Sequence, residues 1–239
     1  VLDTLYKDGR ISRQAMKSRA VSKEDNCKNK KGGIGMKKDM LNAGYIELVE
    51  HMGGDHSVIR NARRCWRSED RSNEKSDANL IEHVIKKEHK TPFESIVFTF
   101  DIKAPIFVAR QWMRHRIGSF QEESLRYCVA KREYFIPEEL IDEFDQKRWC
   151  QWNEEQFDAY DYFVERGLSK EQARSLLPLG IYTTYYWTVN GSSLMNFLKL
   201  RCDKSAQKEI RVYADAILEI VKEVAPVTFN TFEEVVLKK

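Results

Sequence analysis

The segment Gln111-Trp-Met-Arg114-His115-Arg116 sets three potential cations beside an amide side chain. After seven intervening residues comes Ser124, within Gln121-Glu122-Glu123-Ser124-Leu125-Arg126-Tyr127. If the first segment is helical, Gln111 shares a face with Arg114 at i+3 and with His115 at i+4. Guanidinium forks make two-point contacts with phosphate oxygens or a planar imide, and a Gln side chain pairs with an amide edge. Alone, a cationic triplet reads as a solvated helix end, because the C-terminal dipole favours positive charge. The Ser, Gln, Glu, Arg and Tyr that follow it point instead to a lined pocket for an anionic ligand. Ser124 has no His/Asp pair at a recognisable spacing, so it is read as a hydrogen-bonding group and not a nucleophile. Cys128, next to Tyr127, is read as a half-buried, inert thiol.

Elements must carry these residues to one place. Phe93–Lys103 alternates as a strand, with Ile96, Phe98, Phe100 and Ile102 on one side. Pro105 suits a first helical turn, and Ile106–Arg116 is expected to follow as a helix, broken by Gly118 and Ser119 before a polar loop to Tyr127. Upstream, Tyr45–Val49 alternates like a short strand, Met52-Gly-Gly-Asp55 reads as a turn, and Asp55 or Ser57 is a candidate cap for a helix through Val58, Ala62 and Cys65. A second helix is expected over Ser76–Lys87. The second half reads as helical: Leu140–Arg166 ending at Gly167, a capping-box pattern at Ser169-Lys-Glu-Gln172, a helix from Ser192 or Ser193 through Leu200, and one from Ser205 through Val224. Helices around one confident sheet region give an α+β class.

The 239 residues are 42% hydrophobic and 32% charged, the make-up of an ordinary globular protein, and no apolar run approaches the length of a membrane helix. A cytoplasmic location is expected, since the N-terminal stretch has no secretory apolar core and the five scattered cysteines lack CxxC spacing. The histidines show no metal-ligand spacing, so no metal is expected. Residues 1–40 hold eleven Lys/Arg against five Asp/Glu, while the rest of the chain is slightly acidic. Residues 1–39 are therefore read as a basic extension and 40–239 as the folded domain; a nucleic-acid protein would carry its basic stripe on the folded body.

Several segments stand together in a characteristic order: Met52-Gly-Gly-Asp55 through Ala62-Arg63, His89-Lys-Thr91-Pro92-Phe93-Glu94, Ala104–Gln111, Arg114-His115-Arg116 with Ser124, Ala173-Arg174 with Leu177-Pro178, and Trp187–Gln207. This set resembles the flavin-dependent thymidylate synthase family over about residues 40–230. The resemblance implies a helix-rich single domain around a small antiparallel sheet, and a homotetramer whose sites form between subunits. It implies FAD stacked with dUMP, 5,10-methylenetetrahydrofolate as carbon donor and NADPH as reductant, with dTMP as product. By the same resemblance Gln111, Arg114, Glu122, Ser124, Leu125, Arg126, Arg174 and Arg201 contact dUMP, and Arg201 is the catalytic candidate. Thr91, Arg114, His115, Arg116, Ile117, Glu122, Asn190 and Asn196 contact FAD, and His89 lies near the flavin–substrate region. The chain departs from the family pattern at Cys65, at Gln121 and at Gly191-Ser192, where Ala-Arg is usual. A related flavin-dependent hydroxymethyl transferase of pyrimidine nucleotides, and a nucleic-acid-binding module, remain as alternatives.

Overall fold

A computed structural model of the chain describes residues 36–65, 67–68 and 72–238. All but the last four residues of the expected basic extension lie outside the described residues. The folded part belongs to one compact unit, Gly33–Lys239, and its first strand starts within the last four residues of the expected extension.

Five strands, β1 (Met36–Met40), β2 (Gly44–Met52), β3 (Val97–Pro105), β4 (Ser119–Glu122) and β5 (Tyr182–Asn190), form one antiparallel sheet in the order β1-β2-β3-β5-β4. β3 starts later than its alternation suggested, because Thr91–Ser95 winds into a 3-10 turn with Pro92 near its start. Its period-two pattern holds. Phe98, Phe100, Ile102 and Ala104 are fully buried, and the register sets them opposite Val189, Trp187, Tyr185 and Thr183 of β5. Ile46 and Leu48 continue this apolar face on β2. The other face is polar: the Thr99 and Thr188 hydroxyls bond at 3.1 Å, and the Tyr45 hydroxyl donates to Asp101 at 3.1 Å.

The helical reading of the second half is overturned at β5. Its sequence, Tyr-Thr-Thr-Tyr-Tyr-Trp-Thr-Val-Asn, consists almost entirely of β-branched and aromatic residues, which fit a pleated, half-buried surface. β4 also runs where a loop was expected.

The helices are α1 (Asp55–Arg64), α2 (Glu74–Lys86), α3 (Ile106–Trp112), α4 (Glu143–Glu165), α5 (Lys170–Ala173), α6 (Gly191–Arg201), α7 (Lys208–Val224) and α8 (Pro226–Phe232). α3, α6 and α7 share the core with the apolar sheet face. Trp112 is its hub, with ring centroids 4.8 Å from Phe197, 5.4 Å from Trp187 and 5.7 Å from Tyr213. Each such buried aromatic contributes about 1.5–3 kcal/mol of transfer free energy.

Two expected caps are corrected. Ser169 precedes α5 without a side-chain cap bond. Asp55 opens α1 but caps a different helix: its carboxylate accepts from the Val227 and Thr228 amides, at 2.9 and 2.8 Å, in the first turn of α8. Among the described residues no helix is long and apolar enough to cross a membrane.

Candidate active site

α3 ends at Trp112, four residues before the expected stop at Arg116. The Arg114 amide donates to the Gln111 carbonyl at 3.4 Å and the His115 amide to Trp112 at 2.9 Å, a tightened last turn. At Gly118 the backbone then lies so close to β5 that a Cβ would sit 2.8 Å from Trp187 Nε1, and the chain joins the sheet edge as β4. Arg114 and His115 therefore lie beyond the helix and share no helical face with Gln111. His115 turns inward, its ring edge-on to Phe197 at 4.9 Å, while Arg114, Arg116 and Ile117 are exposed.

These residues line a cleft of about 650 Å³ together with Lys90, Asn196 and Arg201. Among the described residues its lining includes four cations, Lys90, Arg114, Arg116 and Arg201, and no carboxylate. Arg201 arrives on the last turn of α6, whose first turn is fixed twice. The Asn190 side chain accepts from the Ser193 amide at 2.8 Å, and Gly191 seats so tightly that a Cβ would lie 2.7 Å from the Phe93 carbonyl. Asn190 thus serves α6 as its N-cap, and Thr91 is an exposed residue opening the 3-10 turn beside Lys90.

Within the cleft Arg201 Nε donates to His115 Nε2 at 3.0 Å, and Arg201 Nη2 reaches the Gln111 carbonyl at 3.5 Å. Burial, and secondarily the Arg201 charge, push the His115 imidazole down to about 4, so it is neutral at neutral pH. Ser192 lies on the wall where the family resemblance leads one to expect Arg, and Lys90 brings a cation that sequence reasoning did not assign. The signal for Lys90 was its place between His89 and Thr91. His89 itself lines a smaller adjoining cavity that shares Lys90, Ser192 and Asn196 with the main cleft.

The remaining candidates lie elsewhere. Glu122, Ser124, Leu125 and Arg174 line a second cleft of about 720 Å³, with Glu123, Glu171 and Thr183. Glu122 accepts from the Thr183 hydroxyl at 2.8 Å, Glu123 from the Thr184 amide at 3.1 Å, and Ser124 Oγ from the Arg126 amide at 3.3 Å. Arg126 pairs with Glu171 at 3.0 Å, and Arg174 Nε donates to the Glu171 carbonyl at 3.2 Å. Sequence reasoning missed Glu171, although its spacing of three from Arg174 was visible. β4 leads from the first cleft to the second, and its three steps from Ser119 to Glu122 cover about 10 Å. Gln111 lines neither cleft, and its side chain bonds Gln207. Cys128 is exposed, contrary to its expected half-burial, because Tyr127–Val129 follows the rim of the fold.

Residues 47–227 match the family described as thymidylate synthase complementing protein. A curated relative from Thermosipho africanus, named flavin-dependent thymidylate synthase, is 43% identical over 215 residues, covering 82% of this chain and 94% of its own. A relative of the same name from Thermotoga neapolitana is 45% identical over 206 residues, covering 82% and 94%. Among solved structures, a UMP/dUMP methylase, PolB, from Streptomyces cacaoi bound with 5-Br dUMP is similar, with a TM-score of 0.76 at 28% identity. That likeness covers 83% of this chain and 98% of the other.

Proposed function

The chain belongs to the flavin-dependent thymidylate synthase family, and from that membership we propose that it methylates C5 of dUMP to give dTMP. It does so with FAD, with 5,10-methylenetetrahydrofolate as carbon donor and with NADPH as reductant. The observation that carries this reading is the cleft lined by Lys90, Arg114, Arg116 and Arg201, with no carboxylate among the described residues, a donor set suited to a dinucleotide pyrophosphate beside an electron-rich ring. Arg114, His115, Arg116, Ile117 and Asn196 would hold FAD there, with Thr91 and Asn190 supporting the cleft from the 3-10 turn and the α6 cap. A bound flavin supplies the reducing equivalents that turn the transferred one-carbon unit into a methyl group.

The protein's own part is electrostatic. A guanidinium against the uracil imide favours the N3-deprotonated ring and so enriches C5 in electrons; Arg201, held at Nε by His115 and at Nη2 by the Gln111 carbonyl, presents the remaining N–H groups of its fork for that role. Arg126, Arg174 and Ser124 bind the nucleotide phosphate, and Glu122 and the Leu125 backbone position the nucleotide.

The division of these residues between two clefts supports a homotetramer in which the first cleft of one subunit completes the second cleft of another. Two measurements test the reading. Apo-protein titrated with FAD should show a flavin absorbance shift, and the mass of the product from dUMP should be that of a methyl and not a hydroxymethyl adduct. Arg114→Ala and Arg174→Ala should each be inactive alone, yet co-expressed they should regain about a quarter of the activity, since a random half of each cleft type is intact. Absence of flavin binding would refute the enzyme assignment, and absence of complementation would refute the shared site.

A further inference from the structure

Taking Arg201 as the cation that faces the uracil ring, which is the reading proposed above, we infer that His115 is the positioning residue for Arg201: its neutral imidazole accepts from Arg201 Nε and fixes the plane of the guanidinium. The hydrogen bond of 3.0 Å requires a lone pair on Nε2, so the ring proton resides on Nδ1. A guanidinium is planar, and fixing the direction of its Nε–H fixes the direction of the terminal fork. The longer contact from Nη2 to the Gln111 carbonyl, at 3.5 Å, restrains the same plane from a second side.

The imidazole is itself held. It packs edge-on against Phe197, which stacks on Trp112 at 4.8 Å, and Trp112 precedes His115 by one tight turn. Phe197 and Arg201 stand at i and i+4 on α6, so one helical turn carries both the ring that clamps His115 and the arginine that His115 orients. Among the described residues the charges lining the same cleft are Arg201, Arg114, Arg116 and Lys90, all positive, with no carboxylate to draw a proton onto the ring. A protonated imidazole would turn an N–H toward the Arg201 N–H; the neutral acceptor is the state the surroundings select.

The test compares His115→Phe, which keeps a ring on Phe197 but removes the acceptor, with His115→Gln, whose Oε1 reaches a position similar to Nε2. With pre-reduced flavin and saturating dUMP, the single-turnover rate of His115→Phe should fall about 10- to 100-fold, the loss expected when a reacting group is misoriented. At saturating FAD, His115→Gln should recover most of that loss, with dUMP dissociation constants nearly unchanged in both. Equal losses in the two variants would overturn the inference. So would weakened FAD binding in His115→Phe with an unchanged rate per bound flavin, which would make His115 a flavin contact alone, with no part in orienting Arg201. A second readout needs no turnover: ¹⁵N-histidine NMR of the full chain should show His115 as the Nδ1–H tautomer, with an Nε2 resonance that moves in Arg201→Met. An Nε2–H tautomer, or no movement, would also overturn it. If the NMR signature is present and the wild type makes no dTMP, the pairing stands and the enzymatic assignment fails.

Discussion

Gly44→Ala should damage the site from a distance, through the support beneath it. Gly44 opens β2, and a Cβ there would lie 2.0 Å from the Tyr213 hydroxyl, 2.8 Å from the Lys103 carbonyl and 3.0 Å from the Met40 carbonyl. Two of these neighbours are backbone. The third is the hydroxyl of a fully buried tyrosine that donates to the Lys103 carbonyl at 2.7 Å. An ordinary contact requires the hydroxyl to retreat by more than 1 Å, which breaks that bond and leaves a buried polar group without its partner. Overpacking costs about 1–3 kcal/mol, and the unsatisfied group about 1–3 kcal/mol more. The sum, about 2–6 kcal/mol, lowers the melting temperature by roughly 4–24 °C for a protein of this size. Tyr213 also packs on Trp112, the last residue of α3, so flavin uptake should weaken as well. Thermal melts and FAD titration are the assay. Gly180→Ala, where a Cβ meets nothing within 4 Å, is the neutral control. Because the worst clash is with the hydroxyl, Gly44→Ala/Tyr213→Phe should be more stable than Gly44→Ala alone. A single variant melting with the wild type, or a double variant that recovers nothing, would refute the steric account.

Two further outcomes are expected. Glu171 pairs with Arg126 across a half-exposed gap of 3.0 Å, so a nucleotide phosphate that binds Arg126 must displace its carboxylate. Glu171→Gln should tighten dUMP binding about two- to fivefold by calorimetry, the scale of an exposed ion pair, and weaker binding would show that Glu171 helps hold the nucleotide. His115, pushed down to about 4 from 6.5 first by burial and then by Arg201, binds a proton in the unfolded chain that the native ring refuses. Its contribution to stability is therefore complete above about 6.5 and is lost as the pH falls toward about 4. Screening of this half-buried ring limits the effect to about 1 kcal/mol. Between pH 7 and 5 the wild type should lose a few degrees of melting temperature more than His115→Gln, and parallel losses would contradict the burial argument.

Much of the framework was legible because it rests on local rules. β3 and α7 display their periods directly, with Phe98, Phe100 and Ile102 two apart and Ile210, Tyr213 and Ile217 at helical spacing. β5 was legible in principle from its β-branched and aromatic composition, but the helical spacing around it obscured it. The stop of α3 at Trp112 was not legible, because it depends on the close approach of Gly118 to a strand about 70 residues later. Asp55 shows the same limit: an acid at a helix start reads as that helix's own cap, and only the fold reveals that it serves α8. The residue types of the site were visible in the sequence. Their division between two clefts was not, since it follows from the direction in which β4 leaves the sequence Arg114-His115-Arg116.

The strand order has a consequence for the nascent chain. Among the described residues β4 pairs only with β5, yet some sixty residues separate the end of β4 from the start of β5. At about 5–20 residues per second of synthesis, the cationic stretch and β4 wait roughly 3–12 s before their docking edge leaves the ribosome. Asp55 waits longer still, for α8, which lies about 170 residues downstream. During that interval β1, β2 and β3 can pair as a meander, while Arg114–Arg126 stays open to chaperones or to polyanions such as ribosomal RNA. Completion of the site is therefore a late event in biosynthesis, tied to the emergence of β5 and α6 and not to the earlier appearance of the arginines themselves.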